Sequence, residues 1–203
     1  MTGEEYADIK AVICTQPKLT GIGKKMPEVF EMGLGGNNND KIAYIKNNIG
    51  KEIKVTDILK EGQLVDIHAV SKGHGFQGPV KRFGVMIRQH KAEKTKRGPG
   101  SLGGWRGQGH IMYRVAHAGQ MGYHTRTEYN KWIMKIGHDQ KEIEKINKKG
   151  GFHRYGLVKN PYILIKGSVT GPAKRMVRLN LTLRGNPKIP KDAPQIQGIM
   201  LNR

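Results

Sequence analysis

Residues 89–122 show neither the 3.6-residue period of a helix nor the two-residue period of a strand. A compact domain rarely contains more than about 15 residues of such chain unless the segment is functional or disordered. The stretch carries Lys91, Lys94, Lys96, Arg97, Arg106 and Arg114, with Glu93 its one acid. Gly98, Gly100, Gly103, Gly104, Gly107 and Gly109 deny it rigid internal structure. Trp105 stands among them with no periodic apolar face to bury it. Any core must therefore be built from the chain before and after, and this segment must find its order elsewhere. Fixing a backbone costs about 1–2 kcal/mol per residue, which a close, highly charged partner can offset. The competing reading is a mobile loop whose indole folds back onto the rest of the chain.

Charge points to the same part of the molecule. The 203 residues carry a formal net charge of +20, an excess that a polyanionic partner relieves. Residues 1–66 hold 9 of the 36 Lys/Arg and 10 of the 16 Asp/Glu, so the whole excess lies beyond Asp66. Nucleic acid is the commonest such partner. No apolar run approaches the about 18 residues of a spanning helix, which speaks against a membrane. The opening MTGEEYADIK lacks the basic-then-apolar layout of a signal peptide. The single cysteine, Cys14, fits a reducing cytosol and is expected to be a small buried hydrophobe beside Val12 and Ile13.

Periodicity predicts a mainly β chain with a small α/β appendage over residues 1–62. A strand is expected over 8–15, a polar loop over 17–36, and a helix over 40–48. Asn38 or Asn39 would cap that helix, Ile42, Ile45 and Ile49 would form its stripe, and Gly50 would stop it. A short helical turn is expected from Thr56 and Asp57 to Lys60. Residues 63–203 then hold strands over 63–70 (Val65, Ile67 and Ala69 on one face), 127–136, 152–158, 162–169 and 175–183. In the last of these Val177, Leu179, Leu181 and Leu183 are expected to point inward. Thr170, Gly171 and Pro172 supply the preceding turn, and residues 185–203 form an extended tail. Several short strands with such turns suit a small barrel or a sandwich.

Two familiar motifs fail on context. Gly73, Gly75 and Gly78 have the spacing of a dinucleotide-binding turn and follow a strand, but the Val80 to Gly84 stretch after Pro79 offers no helical face to receive a pyrophosphate. The glycines instead permit close backbone approach, with Lys72, Lys81, Arg82 and Arg88 placed for phosphates. His110, His117 and His124 recur at even spacing, yet no CxxC, HExxH or Cys/His quartet accompanies them, so no metal or other cofactor is expected. No nucleophile–base order or paired-carboxylate setting suggests catalysis. A small-barrel enzyme acting on RNA or holding a flavin, and a nonspecific nucleic-acid compacting protein, stand as the alternatives to a structural RNA binder.

Several segments carry a family resemblance. SKGHGFQGPVKRFGV over 71–85, LGGW over 102–105, RVAHAGQMGYHTRTEYNKWIMKIG over 114–137 and GGFHRYGLVKNPYILIKGSVTGPAKRMVRL over 150–179 resemble large-subunit ribosomal protein three of the archaeal and eukaryotic type. The resemblance is specific over 66–183 and weaker before it. It implies a structural, non-enzymatic constituent of the cytoplasmic ribosome that binds large-subunit rRNA, supports assembly and touches neighbouring large-subunit proteins. The implied fold is a six-stranded translation-protein-type barrel with a long internal extension reaching toward the peptidyl transferase centre. That extension corresponds to 89–122, with Trp105 at its tip and His110 as the histidine that follows. Lys72, Lys81, Arg82, Arg88, Lys91, Lys94, Lys96, Arg97, Arg106, Arg114 and Arg126 would neutralise phosphates, while His74, Trp105, His110, Tyr123 and His124 would make shape or stacking contacts. Where eukaryotic members have a histidine, this chain has Lys96, and the segment from Gly98 to Trp105 is shorter than is usual. Relatives carry a basic arm and early barrel strands ahead of the point matching Glu5. The barrel is therefore expected to be incomplete, with an unpaired edge. A split protein completed by a second chain, a truncated gene model and a natural reduction are the three origins to weigh.

Overall fold

The structure, a computed structural model, describes residues 6–104 and 109–200. It is mainly β, with few and short helices. Its centre is a four-stranded sheet in the order β7-β6-β3-β8, built from Leu64–Val70 (β3), Thr125–Gly137 (β6), Tyr162–Ile165 (β7) and Arg178–Leu181 (β8). Two further ribbons accompany it: Lys10–Cys14 (β1) pairs with Val29–Gly33 (β2), and Gly75–Gln77 (β4) pairs with Gly119–Met121 (β5), both antiparallel. The described residues form no closed barrel. No helix among them is long and apolar enough to cross a membrane.

The chain divides into two compact units: one comprises His68–Thr127 with Thr170–Pro172, and the other holds the rest. The larger unit holds the core. Val65, Ile67 and Ile133 are fully enclosed, and Leu59, Ile136, Ile143 and Ile146 are buried. Partly covered Ile163 and Leu179 pack on the cluster of Leu59, Val65, Ile133 and Ile136. Among the buried residues is Asp66, whose carboxylate accepts hydrogen bonds from the Asn130 backbone N–H and the Thr182 hydroxyl, each at 2.9 Å. Asn130 adopts a left-handed φ of 56° and its side-chain oxygen accepts the Asn186 N–H at 2.9 Å, so one buried acid organises a bend in β6 and the start of the tail. The tail also crosses Gly62, where a Cβ would lie 2.6 Å from the Lys191 carbonyl oxygen.

Local sequence explains the helices. In Asn38–Asn48 (α1) the acid Asp40 lies in the first turn and Lys46 in the last, matching the helix dipole, and Gly50 follows at φ 74°. Its cap is Asn37, and Ile49, expected in the apolar stripe, is 71% exposed beyond the last turn. Gln140–Ile146 (α3), which periodicity did not single out, buries Ile143 and Ile146 and is tied to β6 by a 2.5 Å Lys135–Glu142 ion pair. The Lys135 hydrogen bond holds the Glu142 carboxyl below its usual range.

Other expectations are corrected by the structure. β2 lies within the 17–36 stretch expected to be loop. Cys14 is exposed, because it sits on the outward face of the β1–β2 ribbon with Val12. Residues 152–158 form no strand: one Phe152–Gly156 bridge closes a turn in which Arg154 takes a φ of 60°. The expected inward row of 175–183 also fails, since Leu179 packs on the core while Leu181 is 56% and Leu183 94% exposed. β8 is only four residues long, too short to carry that row. Finally, a short helix, Pro79–Phe83 (α2), does follow the Gly73–Gly78 turn. Proline fits its first turn, and Gly84 ends it at φ 71°.

Candidate nucleic-acid interface

Every described candidate residue falls in the unit formed by His68–Thr127 and Thr170–Pro172. Glu93 is the one acid in its sequence, against Lys72, Lys81, Arg82, Arg88, Lys91, Lys94, Lys96, Arg97, Arg106, Arg114 and Arg126. Among its described residues only Ala69 and Pro79 are buried apolar side chains. Exposed in it are Phe76, Phe83, Met86, Ile87, Leu102, Ile111, Tyr113 and Tyr123, with Tyr113 at 96%. The described part of this unit has almost no apolar interior of its own.

Hydrogen bonds hold its base together. The end of β3 runs beside the start of β6: the Ser71 N–H donates to the His124 carbonyl at 2.9 Å, and the His124 N–H returns to Ser71 Oγ at 3.1 Å. The His74 N–H donates to the Met121 carbonyl at 2.8 Å, and β4 and β5 then pair with Gly75 opposite Met121 and Gln77 opposite Gly119. Gly122 is squeezed here at φ 73°, and a Cβ on it would lie 1.9 Å from the Lys72 carbonyl oxygen. Tyr123 follows at φ 58°, with its side chain 64% exposed. Arg82, on α2, completes the clasp by donating from Nη1 to the His117 carbonyl at 2.8 Å, while its guanidinium lies over the Phe83 ring at 5.0 Å.

Beyond this clasp further backbone hydrogen bonds join described parts of the excursion. The Arg88 N–H reaches the Lys96 carbonyl at 3.0 Å, and the Met112 N–H reaches that of Leu102 at 3.2 Å. Lys91, Lys94, Lys96, Arg97, His110 and Arg114 are all exposed along it. The structure thus brings Lys72, His74, Lys81, Arg82, Tyr123, His124 and Arg126 to the elements of the clasp, and strings Arg88 and the other cations along the excursion. Trp105 and Arg106 lie outside the described residues. Sequence reasoning passed over Phe76 and Tyr113, large aromatics left exposed in a cationic unit. No local pattern marked them, since Phe76 has Val80 four positions on and Tyr113 has Ile111 and Val115 two positions to either side. Among the described residues, no group of three or more His, Cys, Asp or Glu stands where it could hold a metal ion.

Sheet and clasp together define a mainly β protein with a cationic, core-poor excursion. The family model described as "Ribosomal protein L3" matches residues 2–199, and the chain belongs to that family. It is 49% identical over 199 residues to the large ribosomal subunit protein uL3 of Methanothermobacter thermautotrophicus, covering 97% of this chain and 58% of that one. Against the same protein of Methanococcus aeolicus the identity is 46% over 196 residues, covering 95% and 57%. Against that of Methanocaldococcus jannaschii it is 45% over 184 residues, covering 89% and 54%. The chain thus spans somewhat more than half the length of these relatives.

Proposed function

We propose that this chain is a structural, non-enzymatic constituent of the large subunit of the cytoplasmic ribosome, where it binds large-subunit rRNA and supports subunit assembly. One observation carries the reading: every described candidate cation sits in a unit that buries almost no apolar side chain. Such a unit lacks the apolar burial that normally offsets chain entropy, whereas phosphates on its exposed lysines and arginines supply a compensating attraction. Residues 63–203 are the rRNA-binding part, with the open sheet as the portion of a translation-protein-type barrel that this chain contributes. The stretch 89–122 is the extension toward the peptidyl transferase centre, 185–203 an extended tail, and 1–62 the smaller appendage. Neighbouring large-subunit proteins complete the surroundings.

Two experiments test this. Affinity of the chain for a large-subunit rRNA transcript is expected to fall about a thousandfold between about 50 and 200 mM salt, as for six or more phosphate contacts. At one fixed salt concentration, binding to the transcript should be at least about tenfold tighter than to duplex DNA of equal length, because a shaped interface adds to charge. Equal affinity for the two would leave only nonspecific compaction. In ribosomes, Trp105→Ala is expected to alter tRNA accommodation or sensitivity to drugs at the peptidyl transferase centre while subunits still assemble. Unchanged translation, with no nucleotide against this side chain in a ribosome structure, would remove the role assigned to the tip.

A further inference from the structure

We propose that the outer face of the β4–β5 ribbon is a stacking platform for an unpaired RNA base, with Phe76 as the ring on which the base lies. The inference rests on the rRNA-binding reading above and names what one part of that surface recognises. Phe76 lies directly opposite Gln120, so the two side chains leave the same face of the ribbon, and His74, two residues earlier, shares it. All three are exposed, Phe76 at 77%. The other face carries Gly75, Gln77, Gly119 and half-buried Met121, and a Cβ on Gly119 would lie 2.9 Å from the Arg82 guanidinium. Gln120 does not cap the ring, because its amide donates to the Gly122 carbonyl at 3.1 Å on its own turn.

An open aromatic ring offers apolar area and a π-face that a partner can cover. The charge around it selects the occupant. Lys72 precedes the ribbon and Lys81 follows it, and the unit's sequence holds a single acid, so an apolar face with a phosphate chain attached is the complementary partner. The ribbon is anchored at both ends by the clasp, so the ring is held in place before any nucleotide arrives. Every base has a π-face, so the platform selects for an unpaired base and not for a particular one.

The test uses the full chain and three probes: a single-stranded uridine dodecamer, the same oligomer with abasic riboses, and a large-subunit rRNA transcript. Phe76→Ala is expected to weaken binding to the uridine oligomer by about 5- to 150-fold, the range for losing one aromatic–base stack. Phe76→Trp should restore it, and the abasic oligomer should bind the wild type and all variants alike. The salt dependence should be the same for every variant, since no cation is removed. The proposal is overturned if Phe76→Ala binds the uridine oligomer as the wild type does, or if the wild type prefers neither oligomer. It is equally overturned if Phe76→Leu matches the wild type, which would mark the face as apolar packing for a protein neighbour. Failure of the wild type to hold the rRNA transcript is a separate result, and it would strike the rRNA reading itself.

Discussion

Gly122→Ala is expected to open the β4–β5 clasp while leaving the four-stranded sheet folded. The methyl group would sit 1.9 Å from the Lys72 carbonyl oxygen, on backbone that cannot swing aside as a side-chain tip could. The φ of 73° adds about 1–2 kcal/mol for any residue with a Cβ. Relief requires the strand ends to part, and with them the Tyr123 N–H to Lys72 and His74 N–H to Met121 hydrogen bonds. Amide exchange should therefore accelerate at least about tenfold over Gly75–Gln77 and Gly119–Met121, following from about 1.4 kcal/mol or more of local destabilisation. Protection in β3 from Val65 to Ile67, inside the core, should be retained. Uniform loss of protection across both regions would show that the clasp and the sheet are one cooperative element.

The second large effect concerns Asp66. Replacing it with alanine is expected to cost about 3–4 kcal/mol of unfolding free energy, since two donors in a buried setting lose their acceptor at about 1–3 kcal/mol each. Against a typical stability of about 5–15 kcal/mol, that is a large fraction. Asp66→Asn keeps an oxygen for Asn130 and Thr182 and should cost about 1 kcal/mol. Chemical denaturation of the three proteins gives the answer. Equal losses for alanine and asparagine would mean that the negative charge, and not acceptor geometry, is what the fold needs.

Asp66 also shows where the sequence was legible and where it was not. The alternation of Val65, Ile67 and Ala69 predicted β3, and all three are buried. Periodicity treats the intervening Asp66 as outward, yet it is 4% exposed, because its neighbours across the sheet supply donors that no local pattern reveals. In β6 a strict two-residue period would place Ile133 and Ile136 on opposite faces, but both are buried. The register shift between Ile133 and Lys135 inserts one residue and re-aims the strand. The Leu181 and Leu183 row misled because apolar spacing specifies a face only where something lies across from it.

The candidate interface was legible as chemistry and illegible as architecture. Charge and glycine content marked residues 89–122 as needing an outside partner, and that depended on no tertiary knowledge. The pairing of Gly75–Gln77 with Gly119–Met121 was hidden, since three-residue strands rich in glycine carry no readable period. The exposure of Phe76 was hidden for the same reason: a strand must be recognised before one of its faces can be found bare.

Because the two ends of the excursion meet side by side in a hydrogen-bonded stem, the length between them is decoupled from the rest of the architecture. Doubling the residues in a flexible closed segment adds only about 0.6 kcal/mol of closure entropy. Insertions or deletions between Gly84 and His117 would thus change the length of the excursion without disturbing strand register or the buried core. That length is an adjustable dimension of this design, independent of what makes the protein fold.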